Sequence, residues 1–74
     1  MNAFSFQNNN LYAESLPVSD LMKSYGSPLY IYSKSQIEFN WNLFQKSFGE
    51  HPHLICYAVK ANSNLAVLNI LANL

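Results

Sequence analysis

The feature that most constrains this chain is an apolar run, Leu54–Val59, that ends abruptly in a single lysine, Lys60. An apolar run of about six residues, rich in aromatic and branched types and bounded by polar residues, is typical of a buried strand. A buried strand rarely ends in a cation. Because α/β sheets and barrels build their sites at the carboxyl ends of parallel strands, Lys60 is the first candidate for chemistry.

The first half of the chain predicts a short strand, a helix and a second strand. Residues 1–10 end in a polar asparagine run, which indicates a loop or a frayed terminus, and Leu11–Leu16 follows as a short strand. Apolar residues at helical spacing after Pro17 predict a two-turn amphipathic helix that ends at Tyr25. The aromatic and branched residues of Leu29–Tyr32 then predict a strand.

The next element is predicted to be a longer helix. It begins near Ser33 or Ser35, where Ser35 and Glu38 have the spacing of a capping box, and it ends before Gly49. Its apolar stripe indicates core packing rather than a ligand site, and the stripe consists of Ile37, Trp41, Phe44 and Phe48.

The order of elements indicates an α/β chain. After a loop over residues 50–53, the strand Leu54–Val59 is followed by a helix that Ser63 or Asn64 can cap. Strand, helix, strand, helix is the pattern of βαβ units. No helix-stop signal follows Leu74, and only 11% of the 74 residues are charged, against about 25% in a typical domain. We therefore expect a truncated piece of a larger protein.

Composition argues against several kinds of site and partner. Cys56, His51 and His53 lack the spacing of a structural zinc site, so we expect no metal and interpret the histidines as surface residues. The chain has no arginine and its four lysines are dispersed, so we expect no nucleic-acid partner. It has no run of about 18 apolar residues and no basic N-terminal leader, so we expect a cytoplasmic protein without membrane contact.

The residues around Lys60 leave two interpretations open. Alternation along the predicted strand places Cys56 and Ala58 on the face of Lys60, and these small residues leave room for a flat ligand. Partial desolvation favours a neutral lysine amine, the nucleophile that forms a Schiff base with an aldehyde. The residues alone favour the simpler interpretation, in which Lys60 marks the point where the strand reaches water. No glycine-rich phosphate loop is present.

Two stretches carry a resemblance to a known family. Tyr57–Asn64 (YAVKANSN) closely resembles the lysine motif of the alanine-racemase-like, fold type III pyridoxal-phosphate decarboxylases. Tyr25–Tyr32 (YGSPLYIY) is similar to the turn that enters a strand near the N-terminus in that family, with Ser27 where threonine is more usual. The resemblance covers nearly the whole chain from residue 11, and it is strongest to the members that act on meso-diaminopimelate.

The resemblance implies a specific fold and site. Lys60 is expected to be the catalytic residue and to bind pyridoxal 5'-phosphate as a Schiff base, at the end of the first strand of a (β/α)8 TIM barrel. Residues 1–34 are expected to form an N-terminal segment that packs with a C-terminal β-domain, and residues 35–74 to form the first part of the pyridoxal-phosphate-binding barrel. The phosphate- and substrate-binding residues are expected beyond Leu74, so we expect the 74 residues alone to be inactive.

The resemblance also implies an activity and a partner. The complete enzyme is expected to act on a small amino acid, converting meso-diaminopimelate to L-lysine and carbon dioxide, as a homodimer with shared active sites. Related decarboxylases that act on ornithine, arginine or carboxynorspermidine are the nearest alternative, and Ala61–Asn64 favours diaminopimelate. A non-catalytic binding homologue of the same fold and a decayed reading frame are two further alternatives.

Overall fold

A three-stranded antiparallel sheet begins the chain. In the computed structural model, which describes residues 1–74, β1 (Phe4–Gln7), β2 (Asn10–Ala13) and β3 (Leu16–Pro17) lie in the order β1-β2-β3. The chain is a small α/β structure that divides into two compact units, Met1–Ser33 and Lys34–Leu74. The sheet belongs to the first unit.

Two asparagines make the turn between β1 and β2. Asn8 and Asn9 have φ angles of 50° and 64°, and Gln7 pairs with Asn10 across the turn. A two-residue turn with both φ angles positive matches the twist of a hairpin, and asparagine tolerates that region better than most residues. The prediction of a loop or frayed terminus is therefore wrong for β1, because the asparagine run is a hairpin turn.

The strand predicted over Leu11–Leu16 is confirmed in part. A turn at Glu14, whose φ is 55°, separates β2 from β3, and Ala13 pairs with Leu16 across it. The Glu14 carboxylate accepts a hydrogen bond of 3.0 Å from the hydroxyl of Ser33, which is buried. This bond connects the end of the first unit to its sheet.

The helix predicted to end at Tyr25 is confirmed as α1 (Val18–Tyr25), which contacts β2 and β3. Pro17 lies immediately before it, where a residue without an N–H costs nothing. Gly26 follows at a φ of 87°, and its N–H donates to the Met22 carbonyl at 2.8 Å. Glycine adopts this left-handed conformation without strain, so it ends the helix.

The strand predicted over Leu29–Tyr32 is wrong for this structure. Those residues are irregular, and Tyr30 is 87% exposed. A strand forms only by pairing with a neighbour, and the sheet of this unit stops at β3. Leu29–Tyr32 instead lines a shallow apolar depression together with Leu21 and Tyr25.

The second unit consists of α2 (Lys34–Phe48) and α3 (Leu65–Ala72), which contact each other. Both helices were predicted and are confirmed. Because α2 begins at Lys34, Ser35 lies in its first turn rather than before it. Val67 on α3, 6% exposed, is the one buried apolar residue of this unit.

The apolar stripe of α2 is only partly covered. Ile37 and Trp41 are half-buried, whereas Phe44 is 56% exposed. The Phe44 and Phe48 rings make an edge-to-face contact, with centroids 5.2 Å apart. The expected core packing of the stripe is therefore incomplete within these residues.

The strand predicted over Leu54–Val59 is also wrong for this structure. Residues 54–58 do not pair with any strand, and Val59–Ala61 forms a single turn of 3-10 helix. Leu54 is 85% exposed, so this apolar segment lacks the neighbours that a buried strand needs. None of the helices combines the length and the apolar character needed to cross a membrane.

Candidate functional site

Lys60 lies in the middle of a tight turn, which we call the lysine turn (Ala58–Asn62). The Ala61 N–H donates to the Ala58 carbonyl at 3.0 Å, and the Asn62 N–H donates to the Val59 carbonyl at 3.1 Å. The Lys60 side chain is exposed and makes no hydrogen bond or ion pair. Its amine is therefore accessible and unpaired.

The predicted common face of Cys56, Ala58 and Lys60 is absent because the strand is absent. All three residues are exposed. Residues 51–74 contain no carboxylate that could pair with the lysine. The turn thus exposes the amine to solvent, as the simpler interpretation of the residues predicts, and these residues do not supply the partial desolvation that the alternative interpretation requires.

Hydrogen bonds on both sides hold the lysine turn. The Tyr57 hydroxyl donates to the Asn62 carbonyl at 2.8 Å, and the Asn62 Oδ1 accepts from the Asn64 N–H at 3.0 Å. From the sequence, Tyr57 and Asn62 are only members of the Tyr57–Asn64 motif, and neither has a predicted role of its own. The available signal was the Asn-Ser-Asn spacing, since asparagine side chains commonly accept from the backbone two residues on.

Asn64 caps α3, which confirms one of the two predicted caps. Its Oδ1 accepts from the N–H groups of Ala66 at 2.9 Å and Val67 at 3.3 Å. These are donors at the helix start that otherwise have no partner. The lysine turn is therefore connected to a well-formed helix end.

The residues present fit one half of a pyridoxal phosphate site. A free, accessible primary amine is the group that condenses with the aldehyde of that cofactor. The phosphate has no comparable partner, because Gly26 and Gly49 each follow the C-terminal end of a helix and the start of α3 is capped by Asn64. The lysine is present in this chain and a phosphate cradle is not.

The His53 side chain takes part in local packing, whereas the His51 side chain is exposed. The ring of His53 stacks on Phe48, with centroids 4.6 Å apart. Its Nδ1 lies 2.7 Å from the His51 carbonyl oxygen and its Nε2 lies 2.8 Å from Gln45 Oε1. No group of three or more His, Cys, Asp or Glu side chains is arranged to hold a metal ion.

Comparison with known proteins agrees with this chemistry. Residues 34–74 match the model of the pyridoxal-dependent decarboxylase family, pyridoxal-binding domain. Over its whole length the chain is 56% identical to a diaminopimelate decarboxylase of Vibrio cholerae and 51% identical to one of Haemophilus influenzae. It is 43% identical to one of Pseudomonas aeruginosa, again over its whole length.

The chain spans 18% of the length of each of these relatives. The family match covers more than half of the chain and includes Lys60. The chain therefore belongs to the pyridoxal-dependent decarboxylases, and residues 34–74 are part of the pyridoxal-binding domain of that family.

Proposed function

We propose that this chain is the N-terminal part of a diaminopimelate decarboxylase and that Lys60 is the lysine that carries its cofactor. The observation that carries the proposal is the free amine of Lys60 within the matched pyridoxal-binding region. The other lysines of that region, Lys34 and Lys46, lie on α2. Lys60 alone follows the apolar run that predicts a strand.

The cofactor and this chain contribute different parts of the proposed chemistry. Pyridoxal phosphate supplies the electron sink that allows a carboxylate to leave as carbon dioxide. This chain supplies a primary amine on a short turn, and that amine is nucleophilic when neutral. Because Lys60 is exposed here, the residues that exclude water and bind phosphate must come from other parts of the enzyme.

The proposed architecture is the start of a (β/α)8 barrel over residues 35–74, preceded by an N-terminal segment over residues 1–34. Leu54 and Val59, 85% and 50% exposed, support a strand that forms when neighbouring strands cover both faces. Tyr25 and Tyr30, 74% and 87% exposed, support packing of the N-terminal segment against a β-domain.

The proposed reaction converts meso-diaminopimelate to L-lysine and carbon dioxide, a step of lysine biosynthesis. The names of the similar proteins support this substrate over ornithine, arginine or carboxynorspermidine. The proposal includes a cytoplasmic homodimer with shared active sites and no nucleic-acid or membrane partner. The unpaired Cys56 fits a reducing compartment, and the lack of arginine fits the absence of nucleic acid.

The test is a pair of lysine variants in the full-length protein. Lys60→Ala should abolish the absorbance of lysine-bound cofactor and lower the rate of carbon dioxide release by about a hundredfold or more. Lys46→Ala, which removes an exposed lysine from α2, should leave both unchanged. Normal cofactor absorbance in Lys60→Ala would show that another lysine carries the cofactor.

A further inference from the structure

Asn62 differs from its neighbours in the segment that carries Lys60. Among residues 56–66 it is half-buried, and all the others are exposed. Even Val59, an apolar residue, is 50% exposed. Polar groups that are withdrawn from solvent usually have hydrogen-bond partners, and Asn62 has several.

Three hydrogen bonds converge on Asn62. Its N–H donates to the Val59 carbonyl at 3.1 Å, and its carbonyl accepts from the Tyr57 hydroxyl at 2.8 Å. Its side-chain oxygen accepts from the Asn64 N–H at 3.0 Å. The first two bonds close the lysine turn, and the third connects that turn to the residue that caps α3.

The connection continues into the buried part of the second unit. The Asn64 side chain accepts from the N–H of Val67, whose own side chain is 6% exposed. Two asparagine side chains in series thus join the backbone next to Lys60 to the helix that carries this buried residue. Asparagine bonds to nearby backbone N–H groups restrict the conformation of the intervening residues.

We propose that Asn62 is a positioning residue for Lys60, an inference that rests on the proposed role of Lys60 as the cofactor lysine. The Asn62 carboxamide fixes the direction in which Lys60 leaves the backbone relative to α3. Bond formation needs the reacting atoms about 3 to 3.5 Å apart and aligned, so a fixed direction raises the fraction of productive encounters. In this proposal Asn62 acts on Lys60 through the backbone of the lysine turn.

The test compares three variants of the full-length protein stripped of cofactor. The readout is the rate at which added pyridoxal phosphate becomes attached to Lys60, followed by absorbance and located by borohydride reduction and peptide mapping. Asn62→Ala should slow attachment by about tenfold. Asn62→Ser, whose hydroxyl can still accept from the backbone two residues on, should recover most of the rate.

Asn69→Ala is the matched control. Asn69 also accepts a side-chain hydrogen bond, from Asn73 at 3.3 Å, but it lies on α3 beyond the capped turn. This variant should keep the wild-type rate. In the loaded enzyme, Asn62→Ala should lower kcat while KM for meso-diaminopimelate stays within about twofold, because positioning of the amine acts on bond formation rather than on substrate binding.

The outcomes test the positioning role of Asn62 and the proposed role of Lys60 separately. Attachment at the wild-type rate in a less stable Asn62→Ala protein would show a purely structural role and overturn the inference. If Asn62→Ala does not fold, Asn62→Gln, which displaces the side-chain oxygen by one methylene, is compared with Asn62→Ser. Slower cofactor attachment in Asn62→Gln supports the inference, and equal attachment rates in the two variants overturn it. Label on a different lysine in the unsubstituted protein would overturn the proposed function itself.

Discussion

The two units of the chain differ in how their strand-forming sequences behave. In the first unit, β1, β2 and β3 follow one another along the chain and are joined by two-residue turns, so each finds its partner locally. In the second unit, Leu54–Val59 is more apolar than β1 or β2 and still forms no strand. The difference is one of partners, because a hairpin strand pairs within a few residues and a parallel strand pairs across a crossover.

The same comparison explains the exposure of Lys60. The first unit buries Ala3, Ala13 and Ser33, whereas the second buries only Val67, on α3. The lysine turn is ordered by hydrogen bonds to Tyr57, Val59 and Asn64 rather than by a core. The backbone around Lys60 is therefore ordered by local hydrogen bonds although no core surrounds it.

The largest expected effect in the second unit comes from its buried residue. Val67→Asp places a charge in a site with 6% exposure and should destabilise the packing of α2 and α3 by at least about 3 kcal/mol. Circular dichroism at 222 nm during urea unfolding measures this. Leu65→Asp, on the same helix at 82% exposure, is the control and should change little. Equal losses for both would show that α3 has no buried face.

The asparagine turn tests the first unit. Asn9→Val forces a β-branched residue to a φ of 64° and should destabilise the hairpin by about 1 to 2 kcal/mol. Amide hydrogen exchange should then speed up in β1 and β2 and stay unchanged in α2 and α3. Asn9→Gly should exchange no faster than wild type, since glycine tolerates positive φ. Faster exchange in α3 would contradict the division into two units.

The cap of α3 tests the second unit in the same way. Asn64→Ala leaves the N–H groups of Ala66 and Val67 without their acceptor and should cost about 1 kcal/mol of helix stability. Exchange at these two amides is the measurement, and Asn64→Ser, which keeps a capping oxygen, should restore most of their protection. Unchanged protection in Asn64→Ala would mean that packing alone forms the helix start.

The smallest expected effect concerns the lysine turn. Tyr57→Phe removes the hydroxyl that donates to the Asn62 carbonyl. The free energy that protects the Ala61 and Asn62 amides from exchange should fall by about 0.5 kcal/mol, so both amides should exchange faster. Tyr30→Phe is the control because the Tyr30 side chain is 87% exposed and makes no hydrogen bond. Identical exchange in the two variants would show that the hydroxyl does not hold the turn.

Local signals in the sequence predicted the helices and missed the hairpin. The start signal at Pro17, the stop signal at Gly26 and the cap at Asn64 each act within one turn of helix, so α1 and α3 could be predicted. The hairpin turn is also local, but the polar run at residues 7–10 predicts a loop or a frayed terminus instead. An Asn-Asn pair is a weaker turn signal than Asn-Gly.

The strands predicted over Leu29–Tyr32 and Leu54–Val59 do not form in this structure. The apolar side chains of Leu29–Tyr32 and Leu54–Val59 indicate that these segments can be buried. Their pairing into a sheet depends on residues far away in sequence. Likewise, the residues around Lys60 favoured a solvated lysine, and only the resemblance of Tyr57–Asn64 to a family motif pointed to a cofactor. The supporting bonds of Asn62 became visible in the structure alone.

The measurement that tests the central claim most directly is the location of the cofactor. The full-length protein loaded with pyridoxal phosphate is reduced with borohydride, digested and analysed by mass spectrometry. The proposed function predicts one pyridoxyl group per chain on Lys60 and only background label on Lys23, Lys34 and Lys46. Label on any other lysine, with Lys60 unmodified, would contradict it.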